Sequence, residues 1–203
     1  MIISNFIVFE GIDGAGTTTQ LNILKDKLKC KPAWFTFEPT TRETGVFLRK
    51  VLKGDIVLHP DTTARLFAAD RCEHLYGKNG IMEHIQKGEL VFCDRYIFSN
   101  IAYQSSECDN SLPEELNKSF PLPQIVFYFD LPADISINRI TVRGVTEIYE
   151  KKDFLEKTRL NYIGIMKKYE ALTQVVYINA EKSIESIAEK IWSVIENLPM
   201  IKK

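Results

Sequence analysis

The sequence predicts an α/β fold, a parallel β-sheet flanked by helices. Two observations predict it. Short runs rich in β-branched and aromatic residues alternate with longer stretches of helical periodicity along the 203 residues. Such alternation implies parallel strands joined by right-handed crossovers. The strand candidates are also apolar at consecutive positions, as in Phe6-Ile7-Val8-Phe9. Unbroken apolar runs belong to strands covered on both faces. The length suits one domain over 1–203.

The first strand is placed at Phe6-Ile7-Val8-Phe9. A helix follows with Leu21, Leu24 and Leu28 on one stripe, and Pro32 closes the turn after it. Residues 33–37 form the second strand, and residues 45–53 and 60–76 read as helices. Leu90-Val91-Phe92-Cys93 is the third strand, and Ile125-Val126-Phe127-Tyr128-Phe129 is the fourth and most β-prone. After Asp130-Leu131-Pro132 a helix runs through Ile140, and Val175-Val176-Tyr177-Ile178 is the fifth strand. The last helix sets Ile184, Ile187, Ile191 and Ile195 on one face. Residues 105–123, with several Ser, Asn and Pro, read as a surface loop around one short helix. On a sheet of this kind, ligands bind beyond the carboxyl ends of the strands.

Composition narrows the partners. The formal net charge is −1, which argues against nucleic acid or a membrane surface. A small anionic ligand would need a local cationic cluster. Cys30, Cys72, Cys93 and Cys108 have no CxxC spacing and no histidine at ligand spacing, so zinc is not expected. Buried, reduced thiols in a cytoplasmic protein are expected instead. Met1-Ile2-Ile3-Ser4-Asn5 has no positively charged start, so no signal peptide is expected, and the apolar stretches are too short to span a bilayer.

The first strand runs into Gly11-Ile12-Asp13-Gly14-Ala15-Gly16-Thr17-Thr18-Thr19. This segment resembles the phosphate-binding loop GxxxxGK[ST], between a strand and a helix as that loop requires. Glycines let successive backbone N–H groups converge on phosphate oxygens, and the helix N-terminus adds partial positive charge. Thr18 stands where a hydroxyl would ligate Mg²⁺. The lysine position holds Thr17, which removes a cation that normally reaches the β- and γ-phosphates. Losing such a donor can cost ~10²–10³ in rate. A plain glycine-rich turn with threonine at the helix start would look similar, and the segment alone does not separate the two readings.

Further segments do. Phe9-Glu10-Gly11-Ile12-Asp13-Gly14 comes first, followed by Glu38-Pro39 with Gly45 and Arg49. Leu66-Phe67-Ala68-Ala69-Asp70-Arg71 is next, then Asp94-Arg95-Tyr96 with Ser99-Asn100 and Tyr103-Gln104. In this order and spacing they resemble the thymidylate kinase family, from residue 6 to about 162. The resemblance implies a P-loop NTPase-type nucleotide kinase. It would phosphorylate dTMP to dTDP with ATP and Mg²⁺, and would be a homodimer. It places Gly11, Gly14, Ala15, Gly16, Thr17, Thr18, Thr19 and Arg139 at ATP, and Thr18 and Asp94 at the metal. At dTMP it places Asp13, Glu38, Pro39, Arg49, Phe67, Arg71, Arg95, Ser99, Asn100, Tyr103 and Gln104. Arg49 would grip the acceptor phosphate, for which a planar fork is suited. Phe67 and Arg71, four apart on a helix, would read thymine. Tyr103 would lie against the sugar. Each residue taken singly also has a bland reading, as core, solvated charge or strand-end ion pair.

A short lid is expected at about 141–152, with Arg143 as the cation that closes over the phosphates. Asp13, Arg95 and Arg143 are thus the expected catalytic residues. Lys151 and Lys152 read as a solvated helix start. Two alternatives stay open: a kinase for another nucleotide or a deoxynucleoside, and a catalytically weak nucleotide-binding protein with a regulatory role.

Overall fold

In the computed structural model, which describes residues 1–108, 111–142 and 148–202, the apolar runs assemble into one parallel sheet. Its strands are β1 (Ile2–Gly11), β2 (Ala33–Phe37), β3 (Leu90–Asp94), β4 (Leu122–Asp130) and β5 (Gln174–Asn179). They lie in the order β2-β3-β1-β4-β5, and every neighbouring pair is parallel. The crossovers carry α1 (Thr17–Lys27), α2 (Glu43–Leu52), α3 (Pro60–Tyr76), α4 (Ile81–Gln86), α5 (Ile97–Gln104), α6 (Ser111–Asn117), α7 (Ala133–Thr141) and α8 (Lys152–Tyr169). After β5 come α9 (Ile184–Ile195) and α10 (Pro199–Lys202).

Helices on both faces explain the unbroken apolar strands. Phe6, Ile7, Val8, Phe9, Phe92, Phe127 and Phe129 are all buried. Side chains of this kind contribute roughly 1.5–3 kcal/mol each when fully buried. In register, Phe9 lies beside Asp94 of β3 and Gly11 beside Phe129 of β4. The chain fills one side of β1 with β2 and β3 and then crosses to the other with β4 and β5. That reversal opens a crevice at the carboxyl ends of the strands next to β1.

The structure departs from the sequence reading in several places. β4 starts at Leu122, inside the stretch expected to be surface loop, because Leu122 and Pro123 pair with Ile2 and Ile3. The flanking prolines hid that pairing. The short helix expected there is α6, but its last residue, Asn117, is buried rather than at the surface. Ile184 is half exposed and leaves the face made by Ile187, Ile191 and Ile195. It is the first residue of α9 and lines a cavity. The cysteines are free, but only Cys93 is buried; Cys30 and Cys72 are exposed and Cys108 is intermediate. Buried thiols were expected; Cys30 follows α1 in a turn, and Cys72 lies on the outer face of α3, so neither meets the core. α8 begins at Lys152, as the reading of Lys151 and Lys152 as a helix start requires.

Candidate active site

The loop after β1 closes over the start of α1. Gly14 and Gly16 have φ of 76° and 94°, a region closed to most side chains. A Cβ on Gly14 would also stand 3.0 Å from the Ser136 carbonyl oxygen of α7. Gly16 is the N-cap of α1 and no side chain caps it, so the first amides of the helix are left for a ligand. Above them lies a cavity of about 420 Å³ lined by residues 12–20 with Arg95, Arg139, Ala180, Lys182, Ile184 and Ile187. Arg139 is held there by two backbone carbonyls, those of Gly14 at 3.3 Å and Ala180 at 3.0 Å. Gly11 does not line this cavity; a Cβ there would stand 2.9 Å from the Phe129 carbonyl oxygen, so it acts by close approach of β1 to β4.

A second cavity, of about 370 Å³, opens beside the first. Asp13, Glu38, Pro39, Arg49, Phe67, Arg71, Arg95, Ser99, Asn100, Tyr103 and Gln104 all line it. Asp13, Thr18 and Arg95 line both cavities, so the two chambers meet at these side chains.

That junction is tightly specified. Arg95 follows β3 with φ of 71°, a left-handed conformation that costs a non-glycine residue about 1–2 kcal/mol. Neighbouring bonds hold it: Arg95 N–H donates to Phe9 O at 2.9 Å, and Tyr96 N–H donates to Glu10 Oε1 at 2.7 Å. The guanidinium donates to Asp13 Oδ1 at 2.7 Å and Ser99 Oγ at 3.2 Å. Tyr103 donates its hydroxyl to Asp13 Oδ2 at 2.8 Å. Burial, outweighing the nearby Arg95, pushes the Tyr103 phenol up, so it stays a neutral donor. Glu10 is buried beneath and accepts from Ser99 Oγ at 2.5 Å and Tyr162 OH at 2.9 Å. Burial raises its carboxyl to about 7, against the opposing pull of Ser99, Arg95, Tyr162 and Tyr96.

At the far end of the second cavity, α3 supplies Phe67 and Arg71. Arg71 is buried and donates to Glu38 Oε2 at 2.7 Å, Asn117 Oδ1 at 2.5 Å and Tyr96 O at 3.1 Å. Its Nε–H is buried with no partner. Glu38 is shared with His74, whose Nδ1 lies 3.0 Å from Oε1. Arg49 of α2 donates to Pro39 O and lies 5.2 Å from the Phe37 ring.

Among the described residues no group of three or more His, Cys, Asp or Glu is placed to hold a metal. Asp94 Oδ2 accepts from Thr18 Oγ1 at 2.5 Å, while Asp94 Oδ1 is buried and without a partner. One hydroxyl and one orphaned carboxylate oxygen beside the glycine-rich loop fit Mg²⁺. That ion completes its octahedron with waters and substrate phosphates rather than a protein cage.

The residues expected at dTMP thus share one cavity. Those expected at ATP share the other, except Gly11, and Arg143 lies outside the described residues. Sequence reading missed Gln20 and Lys182 in the first cavity and Leu52 and Tyr149 in the second. It also missed the supporting roles of Glu10 and Asn117. Lys182 had a readable signal, since a strand-end loop on this sheet faces the ligand crevice.

The thymidylate kinase family model matches residues 9–191. A Treponema pallidum protein is 45% identical over 196 residues, 94% of each chain. A Methanocaldococcus jannaschii protein is 36% identical over 200 residues, 98% of this chain and 100% of its own. Both carry the name thymidylate kinase in qualified form. A Leptospira borgpetersenii protein named thymidylate kinase is 36% identical over 193 residues, 91% of this chain and 90% of its own. With a family match over most of its length and relatives this similar from end to end, the chain belongs to the thymidylate kinase family.

Proposed function

We propose that the chain transfers the γ-phosphoryl group of ATP to the phosphate of dTMP, giving dTDP for dTTP synthesis. The observation that carries this reading is the junction of two cavities at Asp13, Thr18 and Arg95. A donor phosphate chain over the loop and an acceptor phosphate in the second cavity would meet there.

Phosphoryl transfer between phosphates is mainly a matter of alignment and charge neutralisation. The acceptor phosphate is the nucleophile, so no strong base is needed. Amides of residues 14–19 hold the donor phosphates, and Arg139 lies at the adenosine end. Thr18 and Asp94 would hold Mg²⁺, which would supply charge neutralisation at the phosphates. Arg49 and Arg95 grip and aim the acceptor phosphate. Asp13 fixes the Arg95 guanidinium and, with Tyr103, faces the sugar. Phe67 stacks on thymine, while Arg71, Asn100 and Gln104 read its edge. Glu38 holds Arg71, Ser99 holds Arg95, and Pro39 receives Arg49. Arg143, by resemblance, closes from the lid and replaces part of the charge missing at Thr17. From the family resemblance we further infer a homodimer in the cytoplasm. No helix among the described residues is long and apolar enough to cross a membrane.

A coupled ADP-release assay over dTMP, dUMP, dCMP and thymidine tests the reading. Fastest turnover with dTMP and none with thymidine is expected. Equal turnover with thymidine would contradict it, because a nucleoside offers no phosphate to Arg49 and Arg95.

A further inference from the structure

Three arginines line the acceptor cavity, Arg49, Arg71 and Arg95. Two of them already have a carboxylate: Arg71 pairs with Glu38 and Arg95 with Asp13, each at 2.7 Å. Arg49 pairs with no carboxylate among the described residues. It is held instead by Pro39 O, which accepts from its Nη2, and by the Phe37 ring, whose centroid lies 5.2 Å from Arg49 Cζ.

Core packing does not account for Phe37. It closes β2 beside Asp94 of β3, and it is 42% exposed. Trp34 and Phe35 of the same strand pack against the core, and Phe37 does not. It lines the acceptor cavity together with Arg49. The face of an aromatic ring is negative and attracts a guanidinium within about 6 Å of its centroid. It does so without a formal charge. A carboxylate in the same place would cancel the positive charge and compete with an incoming phosphate for the N–H donors.

We propose that Phe37 is a positioning residue whose ring face holds Arg49 in the acceptor cavity while leaving its charge, and most of its donors, for a phosphate dianion. This rests on the reading of that cavity as the acceptor-nucleotide site. The ring acts on the phosphate only through Arg49. Holding a long side chain in place beforehand lowers the ordering cost of binding, so the benefit appears as affinity for the phosphorylated acceptor. Thymidine, which lacks the phosphate, gains nothing from it.

The test compares calorimetric Kd values for dTMP, thymidine and ATP in wild type, Phe37→Ala, Phe37→Leu and Phe37→Tyr. The Ala and Leu variants are expected to weaken dTMP about five- to tenfold, the scale of one cation–π contact, with thymidine and ATP unchanged. Phe37→Tyr keeps a ring face and should bind dTMP as wild type does. Wild-type dTMP affinity in Phe37→Leu would show that the ring only fills space and overturn the proposal. In an Arg49→Ala background Phe37→Leu should cost nothing further; the same loss there would also overturn it, because the ring would then act without Arg49. Phenylalanines of increasing ring fluorination at position 37 remove the negative face with little change of shape. The dTMP Kd should rise stepwise along that series, and a flat series would overturn the proposal. Partial misfolding of a variant lowers the binding stoichiometry and not the affinity. A wild type that binds thymidine as tightly as dTMP, or an Arg49→Ala variant with wild-type dTMP affinity, would sink the functional reading of the cavity itself. A wild type that prefers dTMP, with unchanged dTMP affinity in Phe37→Leu, sinks only the role of Phe37.

Discussion

Glu10 is the residue whose chemistry most exceeds its visible role in the sequence. Its carboxyl is buried, holds the amide after the left-handed Arg95, and titrates at about 7 rather than 4.5. In the unfolded chain it loses its proton from about 4.5 upward, whereas the folded protein keeps that proton until about 7. The folded state then binds more protons across this window, so stability falls as pH rises through it, by about 3 kcal/mol in all. Glu10→Gln should flatten that slope. Unfolding free energies measured from pH 4.5 to 7.5 would contradict this if wild type and variant ran parallel. Thr17 is the other residue with a sharp expectation. A lysine there would place a cation in the donor cavity that Thr17 lines, and Thr17→Lys should raise kcat roughly 10–10²-fold. If Arg143 supplies the missing charge, Arg143→Ala should lower kcat sharply with dTMP affinity unchanged, and less so in the Thr17→Lys background. Additive effects of the two substitutions on log kcat would separate them.

At the scale of elements, the site depends on how α2 and α3 are fastened together. Asp70 of α3 is buried and accepts from Thr40 N at 2.8 Å, Thr40 Oγ1 at 2.7 Å and Thr44 Oγ1 at 2.6 Å. Gly45 of α2 fits under the same turn, where a Cβ would stand 2.1 Å from Thr40 O. This clasp keeps Arg49 and Arg71 on one cavity. Asp70→Ala should destabilise the fold by about 3 kcal/mol, with the loss of several buried bonds. It should also raise KM for dTMP more than for ATP; equal changes in both would place the clasp outside the acceptor site. The elements also show what a sequence can reveal. β2 and α3 were legible to the residue, because unbroken apolar or β-branched runs and a proline at the helix start are local signals. The wall residues Arg71, Asn100 and Gln104 were legible through family resemblance, since their spacing within α3 and α5 is also local. Asn117 and Tyr162 were not. Their partners are 46 and 152 positions away in Arg71 and Glu10, and only the packed crossovers bring them together. β4's early start was hidden for a similar reason: Leu122 gains its strand partner from Ile2, near the start of the chain.

For the molecule as a whole, the strand order β2-β3-β1-β4-β5 puts the loop after β1 between the ends of β3 and β4. Two cavities flank it and share Asp13, Thr18 and Arg95. We propose that they are one continuous trough for two nucleotides joined at their phosphates. Calorimetry with a bisubstrate ligand, adenosine and thymidine bridged by five phosphates, in the presence of Mg²⁺, tests it directly. One ligand per chain is expected, displaced by ATP and by dTMP alike, and bound at least ~10²-fold more tightly than either, the gain expected of linked sites. Displacement by only one of the two nucleotides, with an affinity no better than that nucleotide alone, would contradict it.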